Sequence, residues 1–133
     1  MDTGRTLRPE YRDAYFRCPV PEPPAHFFII TAHNPDGKEV DDASNAIADS
    51  SLRREIAALG LESFPVTGGS PDFSHAEPGF GIVCTRDTAL SLARQFCQDA
   101  VFEVRHGQVI LISALPSAEP DVVIGEWSDR LCG

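Results

Sequence analysis

Apolar residues along this chain fall into short runs separated by Pro, Gly, Asn and Asp, and the spacing within the runs changes from segment to segment. The clearest run is His26–His33, where Phe27, Phe28, Ile29 and Ile30 follow one another without a polar break. A strand that is apolar on both faces belongs in the middle of a sheet. It stops at Thr31-Ala32-His33, and Asn34-Pro35-Asp36-Gly37 then has the composition of a turn. Asp41 or Asp42 is placed to cap a helix running to about Leu59. Val40, Ala43, Ile47, Leu52, Ile56 and Leu59 give it an imperfect apolar face, and Gly60 stops it. Leu61–Val66 reads as a short third strand, which Pro65 assigns to an edge because proline cannot donate to a ladder. Thr67-Gly68-Gly69-Ser70-Pro71-Asp72 reads as a flexible loop, and Phe80–Cys84 as a fourth strand. Thr85 caps a second helix over 86–98, whose stripe is Ala89, Leu92, Ala93, Phe96 and Cys97. Ala100–Arg105 and Gln108–Ser113 form a hairpin about His106-Gly107, with glycine where a tight turn needs positive φ.

The flanks are less regular. Residues 1–10 are polar and read as a loose segment. Tyr11–Val20 is either a helical turn or, from Ala14, a first strand, and the strand is preferred. Pro19, Pro21, Pro23 and Pro24 enforce an extended link after it. Residues 116–133 form a Pro-punctuated tail, in which Val122-Val123-Ile124 either adds a strand or docks. Trp127 there is a packing anchor or a contact surface. The order β-β-α-β-β-α-β-β predicts an α+β fold in a single domain over 1–133. The architecture expected is a two-layer sandwich, with a mostly antiparallel sheet of about five to six strands and two helices on one face.

Composition narrows the classes of function. With 133 residues and 42% hydrophobic content the chain can bury one real core. A net charge of −9 opposes both unspecific nucleic-acid binding and an anionic membrane surface. The acidic residues are dispersed, which favours solubility. Lys38 is the only lysine, and the bias to arginine and alanine points to a GC-rich bacterial gene. Residues 1–20 contain no apolar leader, and no run approaches membrane-spanning length. Cys18, Cys84, Cys97 and Cys132 are too far apart for a C-x-x-C pair, so a cytoplasmic protein with reduced thiols is expected. Cys84 and Cys97 lie in apolar surroundings and read as small core residues.

Two polar clusters carry candidate chemistry. Asn34 leaves the buried strand, and Asn45 lies in the first turn of the next helix, where free N–H groups attract anions. Two carboxamides there suit a carboxylate, a phosphate or a base edge. Equally, Asn before Pro starts turns, and Asn45 can tie the loop back to the helix. Asp72, His75 and Glu77 form the second cluster, an acid–base pair or metal-ligand set on a loop able to move over a ligand. Its alternative is a solvated loop, with Glu77 capping or paired to an arginine. His75-Ala76-Glu77 imitates the H-x-E of zinc deaminases, but no P-C-x-x-C follows and Pro78-Gly79 prevents the helix that motif needs. A metal held by His33, Asp72, His75 and Glu77 would require two distant segments to meet, and none is assigned. Gly68-Gly69-Ser70 lacks the Gly-Lys-Ser/Thr ending of a phosphate loop, and no G-x-S-x-G elbow is present. The sequence leaves any cofactor open. Gln98, at the end of the second helix, caps that terminus or reaches a pocket.

Ile30-Thr31-Ala32-His33-Asn34-Pro35, Asn45, Glu77 and Gln98-Asp99-Ala100-Val101-Phe102 together resemble the bacterial domain of unknown function 3293 family, over roughly residues 14–113. An aromatic residue often precedes the Asn in that family, and here His33 takes its place. The family has no established activity, so the resemblance implies a fold and no reaction. The function expected is a small-ligand-binding domain, with its pocket formed by the strand exit at 31–34, the helix start near Asn45 and the loop 70–77. Thr31, Asn34, Asn45, Asp72 and Gln98 would hold a small anionic or polar ligand. In a catalytic version Glu77 is the general base, with His33 or His75 as proton partner. The competing expectation is a protein-interaction module that uses the Pro65 edge strand and the Pro-rich segments at 19–24 and 116–120. A nucleic-acid enzyme ranks third, since Arg5, Arg8, Arg12 and Arg17 are the only concentrated basic patch.

Overall fold

In the computed structural model, which describes residues 6–117 and 119–132, the strands are β1 (Tyr15–Arg17), β2 (His26–Thr31), β3 (Ser63–Gly69), β4 (Ala76–Ile82), β5 (Ala100–Arg105), β6 (Gln108–Ser113) and β7 (Val122–Glu126). The helices are α1 (Asp42–Ala58), α2 (Arg86–Gln95) and the short α3 (Trp127–Arg130), and 3₁₀ turns occupy Pro9–Asp13 and Pro35–Gly37. One seven-stranded sheet has the order β1-β3-β4-β2-β5-β6-β7, antiparallel throughout. The doubly apolar β2 lies in its centre, between β4 and β5.

Alternation along β2 sends its side chains into two separate cores. Phe28 and Ile30 join Phe80, Ile82, Val101, Ile110 and Ile112 beneath the two long helices. Leu52 and Ile56 of α1, and Ala89, Leu92 and Ala93 of α2, close this core. Phe27 and Ile29 face the other way, with Phe16, Phe64, Val66, Val104 and Val109. Among the described residues no long helix covers that face; the N- and C-terminal segments do. Trp127 packs there with its ring 5.5 Å from those of Phe16 and Phe27, so it anchors the tail.

The sheet is curled, and its two ends are drawn together. Phe16 of β1 bridges to Leu131, and Cys132 N–H donates to Phe16 O at 2.8 Å. The Arg130 guanidinium donates to Arg12 O and Ala14 O at 3.0 Å each and to Ile124 O at 2.5 Å. One side chain thus ties the N-terminal segment to β7.

Several expectations change. The sheet has seven strands rather than five or six, because the tail supplies β7. The expected two-layer sandwich describes the curled sheet only roughly. β3 is not an edge strand: it lies between β1 and β4, although β1 pairs only with Thr67–Gly69 and so leaves Pro65 unopposed on that side. The interaction-module alternative therefore loses part of its free edge. β3 and β4 also extend through the expected loop, leaving only 70–75 outside them. Helix α2 ends at Gln95, because Cys97 takes the left-handed conformation (φ 56°) in a two-bond terminator. Cys97 N–H donates to Arg94 O at 3.1 Å and Gln98 N–H to Ala93 O at 2.8 Å. Cys97 is accordingly exposed rather than in the core. Cys84 is partly buried against the helix-side core, and burial pushes its thiol pKa up to about 11. Of the N-terminal arginines, Arg5 lies outside the described residues.

Candidate functional site

The strand exit is built as a knot of carboxamide bonds. After β2 the chain turns at Asn34, which adopts the left-handed conformation (φ 50°, ψ 64°) that asparagine tolerates better than most side chains. Asn34 N–H donates to Asn45 Oδ1 at 2.9 Å, and Asn45 Nδ2 donates back to Asn34 Oδ1 at 3.1 Å. Val40 N–H donates to the same Asn34 oxygen at 3.2 Å. A backbone N–H can only donate, so that contact fixes the orientation of the amide. Asn45 is 8% exposed, and its first task is to hold the loop on α1. The N-terminus of α1 already holds a carboxylate: Asp41 Oδ1 accepts from Ser44 N–H at 2.8 Å, and the Ser44 side chain, with this backbone contact second, holds the Asp41 carboxyl below its ordinary range.

The other end of the Asn34 amide reaches the cluster further along the chain. Asn34 Nδ2 donates to Glu77 Oε2 at 2.9 Å, and His75 Nε2 lies 3.1 Å from that oxygen. The fold thus brings Asn45, Asn34, Glu77 and His75 into one chain of contacts. Glu77 owes its direction to β4, which pairs with β3 at Gly68↔Glu77 and turns Glu77, Gly79 and Gly81 to the face away from α1 and α2. Thr31 points to that face as well. Its hydroxyl donates to Pro78 O at 2.7 Å and accepts from His33 N–H at 3.1 Å. Gln98 Nε2 donates to His33 O at 3.1 Å and to Phe96 O at 3.2 Å.

Thr31, Asn34, His75, Glu77 and Gln98 help wall a cavity of about 530 Å³ on the face opposite the long helices. Phe16, Ile29, Val66 and Phe102 supply apolar lining; Thr31, Asn34, Ser70, His75, Glu77 and Gln98 supply polar groups. Further wall comes from the N-terminal segment, through Arg8, Glu10, Tyr11, Asp13 and Ala14, and from Glu39. Two glycines shape it. A Cβ on Gly79 would lie 2.5 Å from Ile30 O, so only glycine allows β2 and β4 this close. A Cβ on Gly68 would meet nothing nearer than the Phe16 ring at 3.6 Å, so that side chain's absence leaves open space.

Of the expected site residues, Thr31, Asn34, His75, Glu77 and Gln98 line the cavity, whereas the lining does not include His33, Asn45 or Asp72. His33 contributes its carbonyl, to Gln98. Asp72 Oδ1 accepts from Ser74 N–H and from the Ser70 hydroxyl, both at 3.0 Å; these bonds shape the loop, and Ser74 foremost, then Ser70, lower the Asp72 carboxyl pKa. Sequence reasoning missed the N-terminal wall and the aromatic lining by Phe16 and Phe102. One signal pointed to them: β2 is apolar on both faces, while two helices can cover only one. Among the described residues no three or more His, Cys, Asp or Glu side chains gather to hold a metal ion, and no helix is long and apolar enough to cross a membrane.

Comparison with known proteins finds no match among curated proteins and none among solved structures. A family model does match, over residues 30–101, a span that holds Thr31, Asn34, Asn45, His75, Glu77 and Gln98. It covers more than half of the sequence, and the chain therefore belongs to the family described as Protein of unknown function (DUF3293).

Proposed function

We propose that this protein is a small-ligand-binding domain whose ligand occupies the cavity on the sheet face opposite the long helices. The supporting observation is the joining of an apolar lining to a convergent polar wall, Asn34–Glu77–His75, in about 530 Å³. Small-molecule sites combine these features at volumes of roughly 300–1,000 Å³. In this reading Asn34 and Gln98 fix the wall, and the ligand's polar end meets Glu77. Where the ligand is a substrate, Glu77 is the general base and His75 its proton partner, since both sit on the cavity at hydrogen-bonding distance from each other. The same reading takes the protein as bacterial and cytoplasmic, supported by the arginine bias and by four free cysteines.

A thermal-shift screen of amines, alcohols, carboxylates, nucleosides and phosphorylated metabolites tests the proposal. A ligand at 100 times its Kd adds about 2.7 kcal/mol, which for a domain of this size raises Tm by roughly 10 °C. The expected result is a hit on the wild type that disappears in Gly68→Val, a substitution that pushes three carbons into the cavity beside Phe16. A flat panel, or a hit retained by Gly68→Val, would overturn the assignment.

A further inference from the structure

We propose that the cavity selects a small organic cation, an amine or amidine on an apolar body, with Glu77 as its counter-ion. The proposal rests on the cavity reading above and names the chemical class of the ligand.

The first argument is which hydrogen-bonding groups are already used. The neutral donors of the wall are directed at protein acceptors. The Thr31 hydroxyl donates to Pro78 O, the Ser70 hydroxyl to Asp72, and one of the two Asn34 Nδ2 N–H groups to Glu77. Gln98 Nε2 has two N–H groups, and it donates to both His33 O and Phe96 O. An anionic ligand needs donors, and apart from the second N–H of Asn34 Nδ2 these four side chains have turned theirs toward the protein. Acceptors are in better supply. A carboxylate has about four lone-pair sites, and the Glu77 contacts with Asn34 and His75 leave capacity for a ligand N–H. The wall therefore offers acceptors to a ligand that brings donors.

Charge points the same way. Glu10, Asp13, Glu39 and Glu77 all line the cavity, and Arg8 is the only arginine or lysine among the described lining residues. The Arg8 guanidinium donates to Gly37 O at 2.8 Å. Glu77 is the least solvated of the carboxylates, with its side chain 26% exposed, and a half-buried carboxylate gains more from a counter-ion than one in open solvent. Phe16, Phe102 and Tyr11 provide aromatic surface on the same cavity. Aromatic faces attract cations and also cover a hydrocarbon body.

The test uses three compounds with one body and three head groups: 4-phenylbutylamine, 4-phenylbutan-1-ol and 4-phenylbutanoate. Trp127 is the only tryptophan, and its ring packs 5.5 Å from that of Phe16, which lines the cavity, so its fluorescence reports occupancy. Calorimetry gives the Kd values independently. The expected order is amine tightest, by at least tenfold over the alcohol, with the carboxylate weakest. Glu77→Gln should cost the amine at least tenfold in affinity and the alcohol several-fold less than the amine. Gly68→Val should abolish all binding. If the alcohol matches the amine, or the carboxylate binds best, and Gly68→Val still abolishes binding, the cation assignment falls while the cavity stands. If none of the three binds, or binding survives in Gly68→Val, both fall. Should Glu77→Gln not fold, the head-group ranking on the wild type decides.

Discussion

The two faces of the sheet are made from the same strands and do different work. On the helix side, β2 and β4 present Phe28, Ile30, Phe80 and Ile82, and α1 and α2 press Leu52, Ile56, Ala89, Leu92 and Ala93 onto them. On the other side the same two strands present Ile29, Thr31, Glu77, Gly79 and Gly81, with no long helix above them. The cover there is the N-terminal segment and the C-terminal tail, and it leaves about 530 Å³ unfilled. Alternation along a strand lets one face be packed for stability while the other keeps space and polar groups. On β4 the packed face carries Phe80 and Ile82, and the other carries Glu77, Gly79 and Gly81.

Substitutions on the two faces should therefore differ in size and in kind. The largest loss is expected on the helix side. Phe28→Ala, at a position with 0% exposure, should cost about 3–5 kcal/mol in urea unfolding. Phe102→Ala, on the cavity wall and only partly buried, should cost clearly less and should alter ligand binding instead. Equal costs would erase the distinction between the faces. Next comes Arg130→Ala, which removes donors to three backbone carbonyls holding the curl. A loss of about 1–3 kcal/mol is expected, in the range for bonds made by a charged group, together with weaker binding in the cavity.

The carboxamide knot should give a smaller effect with a specific signature. Asn34→Ala and Asn45→Ala should each cost about 0.5–2 kcal/mol. Because the two amides bond each other, a double-mutant cycle should give a coupling of at least about 0.5 kcal/mol. Additive effects would mean that the pair does not act as a unit. The smallest effect concerns the helix-side scaffold and its pH dependence. Asp41 is held below its usual value of 3.8 by Ser44, and Asp121 by the bidentate contact from Arg86 at 2.7 and 2.9 Å. A carboxyl with a depressed folded-state pKa contributes stability that is full above the unfolded value and is lost as pH falls through the folded one. Asp41→Ala should therefore lower the urea midpoint at pH 6, and the gap to wild type should narrow toward pH 3. A gap that stays constant would show that the Asp41 charge is not involved.

Legibility in the sequence followed how local each cause was. The β5–β6 hairpin was readable because His106-Gly107 adopts the two positive φ values (52° and 77°) that its tight turn requires. The cap of α1 at Asp41 and the stop at Gly60 were readable for the same reason. The start of β4 was not. Pro78, Gly79 and Gly81 are poor strand formers, and only pairing with β3 and β2 extends them. Pro78 is accommodated because the pairing with β2 stops at Thr31↔Gly79. β7 was ambiguous, since its place beside β6 depends on a register shift at Val109/Ile110 and on the clasp by Arg130. In the site, the meeting of Asn34 with Asn45 was open to local reasoning. Their junction with Glu77 and His75 needed the pairing of strands far apart in sequence, and only the second apolar face of β2 pointed to the N-terminal wall.

The central claim is that the face without long helices is the binding face. A ¹H–¹⁵N correlation titration of the labelled protein with the tightest compound from the amine, alcohol and carboxylate series tests it most directly. The account predicts shifts concentrated at Gly68, Gly79, Glu77, the Asn34 side-chain amide and the Trp127 indole, with Leu52, Ile56 and Ala93 on the helix side unmoved. Shifts centred on α1 and α2, or spread evenly over both faces, would contradict it.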